Sequence, residues 1–169
     1  ASPWRWCEEL YRQPGVEQAC LALQDRDGAD VILALTLIWA GIEGIEADNG
    51  TLDRLLELSR HWQGEVIGPL REARRALKPA PDNSAQELRA RIKTLELEAE
   101  RLAQEAMVAL LPPRRAHTQS AALRAARNLA LYLCSLTPVK APPGEAGVLL
   151  AAALPDLDAG EIARAFTRA

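Results

Sequence analysis

Residue types on which catalysis often depends are scarce in this chain. The 169 residues include only two histidines and three cysteines. The sequence contains no glycine-rich phosphate loop, no HExxH zinc motif and no nucleophile elbow. We therefore predict no cofactor, no bound metal and no catalytic residue, and we lean towards a protein that is not an enzyme.

Disulfides, targeting signals and membrane spans are not indicated either. Cys7, Cys20 and Cys134 are odd in number and widely spaced, which is not typical of a disulfide framework. The N-terminus lacks a basic stretch followed by an apolar one, so no signal peptide is expected. The longest apolar run, Val31 to Ile42, is too short for a membrane span, which needs about 20 residues. These features predict a cytoplasmic protein in a reducing compartment.

Residues that favour β-strands are few as well. Aromatic residues make up 4% of the chain, whereas Ala, Leu, Glu and Arg are abundant. This composition favours helix over strand. We predict an all-α fold, an irregular multi-helix bundle within a single domain over residues 1–169, whose last part, 120–169, is a helical extension. A chain of this length can bury roughly two thirds of its unfolded surface without help from metals.

Breakers and caps divide the first part of the chain into helices. Gly28 is placed to end the second helix, and Asp30 is placed to cap the third. The third helix, expected over 31–47, is apolar almost all round at its start, so we predict that it lies at the centre of the fold. Gly41 and Gly44 would let a neighbouring backbone come close to it.

Two long helices follow. Thr51 is the expected cap of a fourth helix over 52–78, which Gly68-Pro69 should kink because proline removes a backbone donor. The segment from Ser84 to Glu87 reads as a capping box for the next helix. The apolar residues of that helix alternate at spacings of four and three, which is a heptad pattern; they are Leu88, Ile92, Leu95, Ala99, Leu102, Ala106 and Ala109. This seam packs either along the fourth helix or against another copy, with Leu88, Ile92, Leu95 and Leu102 as the contacts of a homodimer.

Several local patterns resemble those of a known family. They are Tyr11 with Pro14-Gly15-Val16, Ala19-Cys20-Leu21, Leu23-Gln24-Asp25, Gly28 with Asp30-Val31, Trp39, Trp62, Pro69-Leu70-Arg71, Arg74-Arg75, Leu77-Lys78, Glu96-Leu97 and Ala99-Glu100. Together they resemble a family of short proteobacterial proteins whose domain has no known function, and the likeness covers about residues 4–110. The family more often has Asn where Ile32 stands, so any role of that amide is absent from this chain. The resemblance implies a bacterial cytoplasmic protein and an ABC-type ATPase as a partner, and it implies no catalytic residue.

Charge is unevenly distributed along the chain. Residues 1–57 hold 11 acidic and 4 basic side chains, whereas the other 112 hold 12 acidic and 16 basic ones. Four of these cations, Arg71, Arg74, Arg75 and Lys78, are spaced to share one stripe of a helix. The stripe could bind an anion, an acidic protein face or an RNA backbone. It could equally reflect favourable charge at a helix C-terminus, or salt bridges to the acidic N-terminal helices.

Three further groups of residues are candidates for binding sites. Trp39, His61 and Trp62 could line a small-ligand pocket between the third and fourth helices, although tryptophans in such bundles more often fill the core. Glu57, His61 and Glu65 share one helical face, but no second ligand-bearing helix accompanies them, so we expect no metal site there. The acidic residues around Gly28 lack the spacing of a calcium loop.

We therefore expect a cytoplasmic helical adaptor or regulator that binds an acidic protein partner through the cationic stripe. A small-ligand-binding protein or enzyme is the alternative. RNA or ribosome association is the third possibility, and the pI of about 5.5 disfavours it.

Overall fold

The computed structural model describes residues 2–115, 119–137, 144–156 and 158–167. All regular structure in those ranges is helical, which confirms the predicted all-α fold. The helices are α1 (Pro3–Tyr11), α2 (Val16–Asp27), α3 (Val31–Ile42), α4 (Asn49–Trp62), α5 (Gly68–Ala76), α6 (Asn83–Leu110), α7 (Ala121–Leu136), α8 (Gly144–Ala153) and α9 (Ala159–Thr167), with a π-helical turn at Gln63–Ile67 between α4 and α5.

Glycine and capping side chains set the ends of the early helices. Gly28, at a φ of 68°, ends α2 as predicted. The Asp30 carboxylate then accepts hydrogen bonds from the backbone N–H groups of Ile32 and Leu33 and so caps α3, as predicted. The sequence therefore contains enough local information to place this junction correctly.

The end of α3 differs from the prediction. The helix ends at Ile42, five residues earlier than expected, because Gly44 adopts a φ of 82° and the N–H of Ile45 donates to the Ala40 carbonyl. This pattern is a Schellman motif, in which a left-handed glycine turns the chain away from the helix axis. The apolar residue Ile45 is buried beside Ala40 instead of continuing the helix.

The predicted central helix is correct. Residues 33–41 of α3 are all buried, and α7 packs along them. A Cβ on Gly41 would overlap the backbone of Ala125, so glycine is what allows the two helices to approach closely. Asn128 of α7 donates to the Leu37 and Ile45 carbonyls and accepts from the Ala47 N–H, which satisfies backbone groups where α3 ends.

The long fourth helix forms with an irregularity near the predicted place. Asp48 caps α4 by accepting from the N–H of Thr51, so the expectation that Thr51 itself is the cap is wrong. The π-helical turn precedes Pro69, and the Gly68 N–H donates to the Gln63 carbonyl five residues back. A π turn re-routes the hydrogen bonds that proline interrupts, which allows helical structure to continue into α5.

Within the chain, helix α6 buries a face other than the predicted apolar seam, so the first of the two alternatives, packing of the seam along the fourth helix, is wrong. The buried residues are Glu96, Ala99, Ala103, Gln104 and Met107, whereas Leu88, Leu95 and Leu102 are 42%, 52% and 40% exposed. Except for Ala99 and Gln104, the buried residues lie about one residue, or roughly 100°, around the helix from the predicted seam. The predicted capping box does not form either, since α6 begins at Asn83 and Ser84 therefore lies inside the helix. Gln86, also in the first turn, donates to the Leu77 and Ala80 carbonyls.

The C-terminal helices complete the core. Tyr132 on α7 accepts from the Asp30 N–H, and α9 packs against α7. Asp158 and Glu161 form a capping box at the start of α9. The main apolar cluster draws side chains from both ends of the chain, including Leu10, Leu129 and Phe166. Among the described residues, every helix is too short or too polar to cross a bilayer.

Candidate interaction site

Two of the four predicted cations are held inside the α5–α6 hairpin by acidic residues. Arg71 donates through Nε to Glu96 Oε1 at 2.9 Å and through an Nη to Glu100 at 3.2 Å. Arg74 donates through Nε to Glu96 Oε2 at 2.5 Å. The side chain of Glu96 is only 7% exposed, and those of both arginines are 22% exposed. These three residues and Glu100 are called the ion-pair cluster below.

The two carboxylates of the ion-pair cluster differ in electrostatic environment. Burial by itself raises the pKa of Glu96, but the hydrogen bonds from Arg74 and Arg71 outweigh it and hold the pKa below the usual value. Burial dominates at Glu100 and raises its pKa, with only partial compensation from Arg71. Glu96 is therefore the carboxylate that anchors the hairpin as an anion, and Glu100 is the one that burial destabilises in its charged form.

The other two predicted cations face solvent. Arg75 and Lys78 are exposed, and their side chains form no ion pair with the described part of the chain. The predicted stripe is therefore not one continuous exposed surface, because two of its members form ion pairs with acidic residues of α6. The salt bridges considered from the sequence do form, but their acidic partners lie on α6 and not on the N-terminal helices.

More basic residues accompany Arg75 and Lys78 at the end of the hairpin. Arg89 and Lys93 lie on α6 between Glu96, which meets Arg74, and Gln86, which meets the end of α5. Lys93 is exposed, and the Nε of Arg89 is buried without a hydrogen-bond partner. Residues 75–93 hold five basic and two acidic side chains. Arg75, Lys78, Arg89 and Lys93 are called the basic tip below.

Polar side chains also enter the core away from the hairpin end, and sequence reasoning missed them. Gln104 donates through Nε2 to the Thr36 hydroxyl at 3.0 Å and to Cys7 Sγ at 3.1 Å. The Ser59 hydroxyl donates to the Asp30 carboxylate at 2.6 Å, close to the capped end of α3. A signal for the α6 part existed, because Glu96, Glu100 and Gln104 follow one another at four-residue spacing and so share a helical face.

The three residues of the predicted pocket do not come together. Trp39 is buried beside Ala40 and Ile45, whereas Trp62 packs on the separate cluster around Ile67. His61 is exposed on α4. The two tryptophans therefore fill different parts of the core, which is their more common use in helical bundles.

Two buried cysteines and one surface groove lie outside the hairpin. Burial raises the pKa of both Cys7 and Cys20 to about 12, so these thiols stay protonated and are poor nucleophiles. No group of three metal-binding side chains occurs in the described part of the chain. An open groove of about 670 Å³ lies between α2, α7 and α8, and its lining includes Arg26, which is paired with Asp27 and Glu145.

The fold and the site together define an all-α protein whose hairpin has an internal ion-pair cluster and a basic tip, three of whose four residues are exposed. The model of a protein family of unknown function, DUF2390, matches residues 2–107, so the chain belongs to this family, as its local patterns predicted. No curated protein and no solved structure matches the chain. The family match ends within α6, and therefore α7, α8 and α9 lie beyond it.

Proposed function

We propose that the protein is a non-enzymatic helical adaptor whose basic tip binds an acidic surface of another protein. The observation that carries this proposal is the contrast within the predicted stripe. Arg71 and Arg74 form ion pairs with Glu96 and Glu100, whereas Arg75 and Lys78 remain exposed and unpaired among the described residues. An acidic partner would supply carboxylates to pair with these two exposed cations.

The way the hairpin is built supports this proposal. Helix α5 packs chiefly against the π-helical turn and α6, so the basic tip projects from the end of a two-helix unit. The ion-pair cluster fixes α5 against α6 a short distance behind the tip. A rigid support reduces the ordering cost of docking, because the backbone that carries the tip cations is already ordered. Exposed charges of this kind mainly set the rate and the specificity of association.

The chemistry of the partner follows from these residues. Lysine and arginine recognise carboxylate groups, and arginine can bind one with two parallel hydrogen bonds. An ABC-type ATPase with an acidic patch is one protein that fits this description.

The test compares native-level co-purification from the source cell for three forms of the full chain. The first is wild type, and the second carries Arg75→Glu and Lys78→Glu. The control carries Arg12→Glu and Arg60→Glu, which replace exposed cations at the end of α1 and on α4, respectively. Proteins that bind the tip should be lost with the second form and retained with the control. Nuclease treatment of each sample separates protein partners from RNA.

Three results would count against the proposal. Identical partner lists from all three forms would remove the basic tip from any binding role. Equal loss in the Arg12→Glu/Arg60→Glu control would show that net charge, and not this surface, governs binding. Loss of all partners after nuclease treatment would replace an acidic protein with RNA, whose binding should also weaken steeply with salt.

A further inference from the structure

Helix α6 leaves a row of leucines uncovered on one side. Leu88, Leu95 and Leu102 are 42%, 52% and 40% exposed and recur every seven residues. Ile92 and Ala106 lie at the edge of the same row and are half-buried. Heptad-spaced leucines of this kind are the usual contact residues of paired helices, and exposed rows of them often mark an interaction surface. Leu88, Leu95 and Leu102 are called the leucine row below.

The two sides of the leucine row are different. On one side, Glu96 and Ala103 are buried against α5 and the π-helical turn. On the other side, Arg91, Glu98 and Glu105 are exposed and also recur every seven residues. The outer charges therefore form a second row, basic at its N-terminal end and acidic at its C-terminal end. A partner helix can approach the leucine row only along this charged side.

We infer that the leucine row is a self-association surface on which α6 of a second copy packs antiparallel about a twofold axis. The order of charges is what selects the second copy as the occupant. When two copies of the charged row meet in opposite directions, Arg91 of each faces Glu105 of the other, and Leu95 of each faces Leu102 of the other. A twofold interface requires such self-complementarity, because the same patch serves on both sides.

A parallel pair does not fit the same surface. In a parallel arrangement the charged row of one helix faces the opposite side of the other helix. That side is already covered by α5 and the π-helical turn in each copy. The antiparallel pair keeps one like-charge contact, Glu98 with its equivalent at the axis, where both carboxylates remain exposed to solvent. Two favourable contacts between Arg91 and Glu105 accompany it, so opposite charges outnumber like charges across the pair.

One helix from each copy makes a small interface. Interfaces of this size are typically weak and transient, so we expect a dimer whose population depends on protein concentration. The leucine row and the basic tip lie on different sides of α6. Self-association therefore does not rest on the proposed adaptor function, and Arg75→Glu/Lys78→Glu should leave the dimer unchanged.

The first test is sedimentation equilibrium of the full chain over a wide range of concentration. Wild type should shift from monomer to dimer as concentration rises, and Leu95→Glu should raise the dissociation constant about tenfold or more, since it places charge at the centre of the interface. Leu97→Glu is the matched control, because Leu97 is 46% exposed on another side of α6. A wild type that stays monomeric at every concentration, or equal weakening by Leu97→Glu, would overturn the inference.

The second test uses charge reversal to identify the occupant and its direction. Arg91→Glu and Glu105→Arg should each weaken the dimer, because each places like charges opposite one another across the interface. The double variant should restore the dimer, because positions 91 and 105 of opposite copies again carry opposite charges. Circular dichroism controls for the loss of the Arg101–Glu105 pair within α6 in the Glu105→Arg variant. A double variant that is weaker than both single variants would overturn the antiparallel arrangement.

Discussion

The carboxylate of Glu96 organises the α5–α6 hairpin. It accepts hydrogen bonds from Arg71 and Arg74 while its side chain is only 7% exposed. A buried carboxylate with two cationic donors is strongly favoured as an anion, whereas removal of the carboxylate would leave two half-buried guanidinium groups without a partner. At the scale of single residues, this contact explains why Arg71 and Arg74, two of the four predicted cations, lie inside the protein.

We expect Glu96→Gln to lower the free energy of unfolding at neutral pH by about 1.5–3 kcal/mol, the usual contribution of hydrogen bonds to a charged group. Glu100→Gln should cost less or should stabilise, because burial disfavours the Glu100 carboxylate in the folded protein. Urea titrations of both variants and wild type measure the difference. A larger loss for Glu100→Gln than for Glu96→Gln would contradict this assignment.

The same contact has a defined pH dependence. Folding lowers the pKa of Glu96 below its ordinary value of 4.5, so its contribution is complete above that pH and is lost as the pH falls through the lowered value. The stability difference between wild type and Glu96→Gln should therefore shrink in acid.

The hydrogen-bond pattern between α4 and α5 is set by two adjacent residues. Pro69 has no N–H to donate, and the Gly68 N–H reaches the Gln63 carbonyl through a π-helical turn. A Cβ on Gly68 would overlap that carbonyl oxygen, whereas a Cβ on Gly64 would meet nothing within 4 Å. At the scale of the element, one glycine is required by the turn and the other is not.

Gly68→Ala is expected to destabilise the protein by about 1–3 kcal/mol, as other forced contacts do. Gly64→Ala should instead be neutral or stabilise by up to about 1 kcal/mol, because alanine favours helix more than glycine does. Thermal unfolding of the two variants against wild type provides the comparison. A Gly68→Ala protein as stable as Gly64→Ala would mean that the turn does not depend on glycine.

Residues beyond the family match fill a large part of the core. The match ends at residue 107, yet α7 covers the buried face of α3, and Asn128 and Tyr132 bond the two ends of that helix. The hydrophobic cluster extends through α8 and α9 as well. At the scale of the whole molecule, the C-terminal helices behave as part of the core around α3 and not as an appendage to it.

A chain shortened to residues 1–110 is therefore expected to lose cooperative folding. Without α7, the apolar residues of α3 face water and the Leu37 and Ile45 carbonyls lose the Asn128 amide. The shortened chain should bind a hydrophobic dye, lose its near-ultraviolet circular dichroism and unfold without a sharp transition. A sharp transition close to that of the full chain would show that residues 1–110 form an independent domain.

The sequence by itself determined the helical fold, the central position of α3 and many of the helix ends. Those features depend on local chemistry, such as Gly28 at a left-handed position and Asp30 beside the amides of α3. The tertiary structure alone decided which face of α6 is buried and which cations remain exposed. Glu96 and Gln104 lie inside because residues far along the chain, Arg71 and Thr36 among them, satisfy their polar groups. The spacing of apolar residues along the sequence cannot reveal such pairing, since the pairing depends on neighbours that only the folded chain brings together.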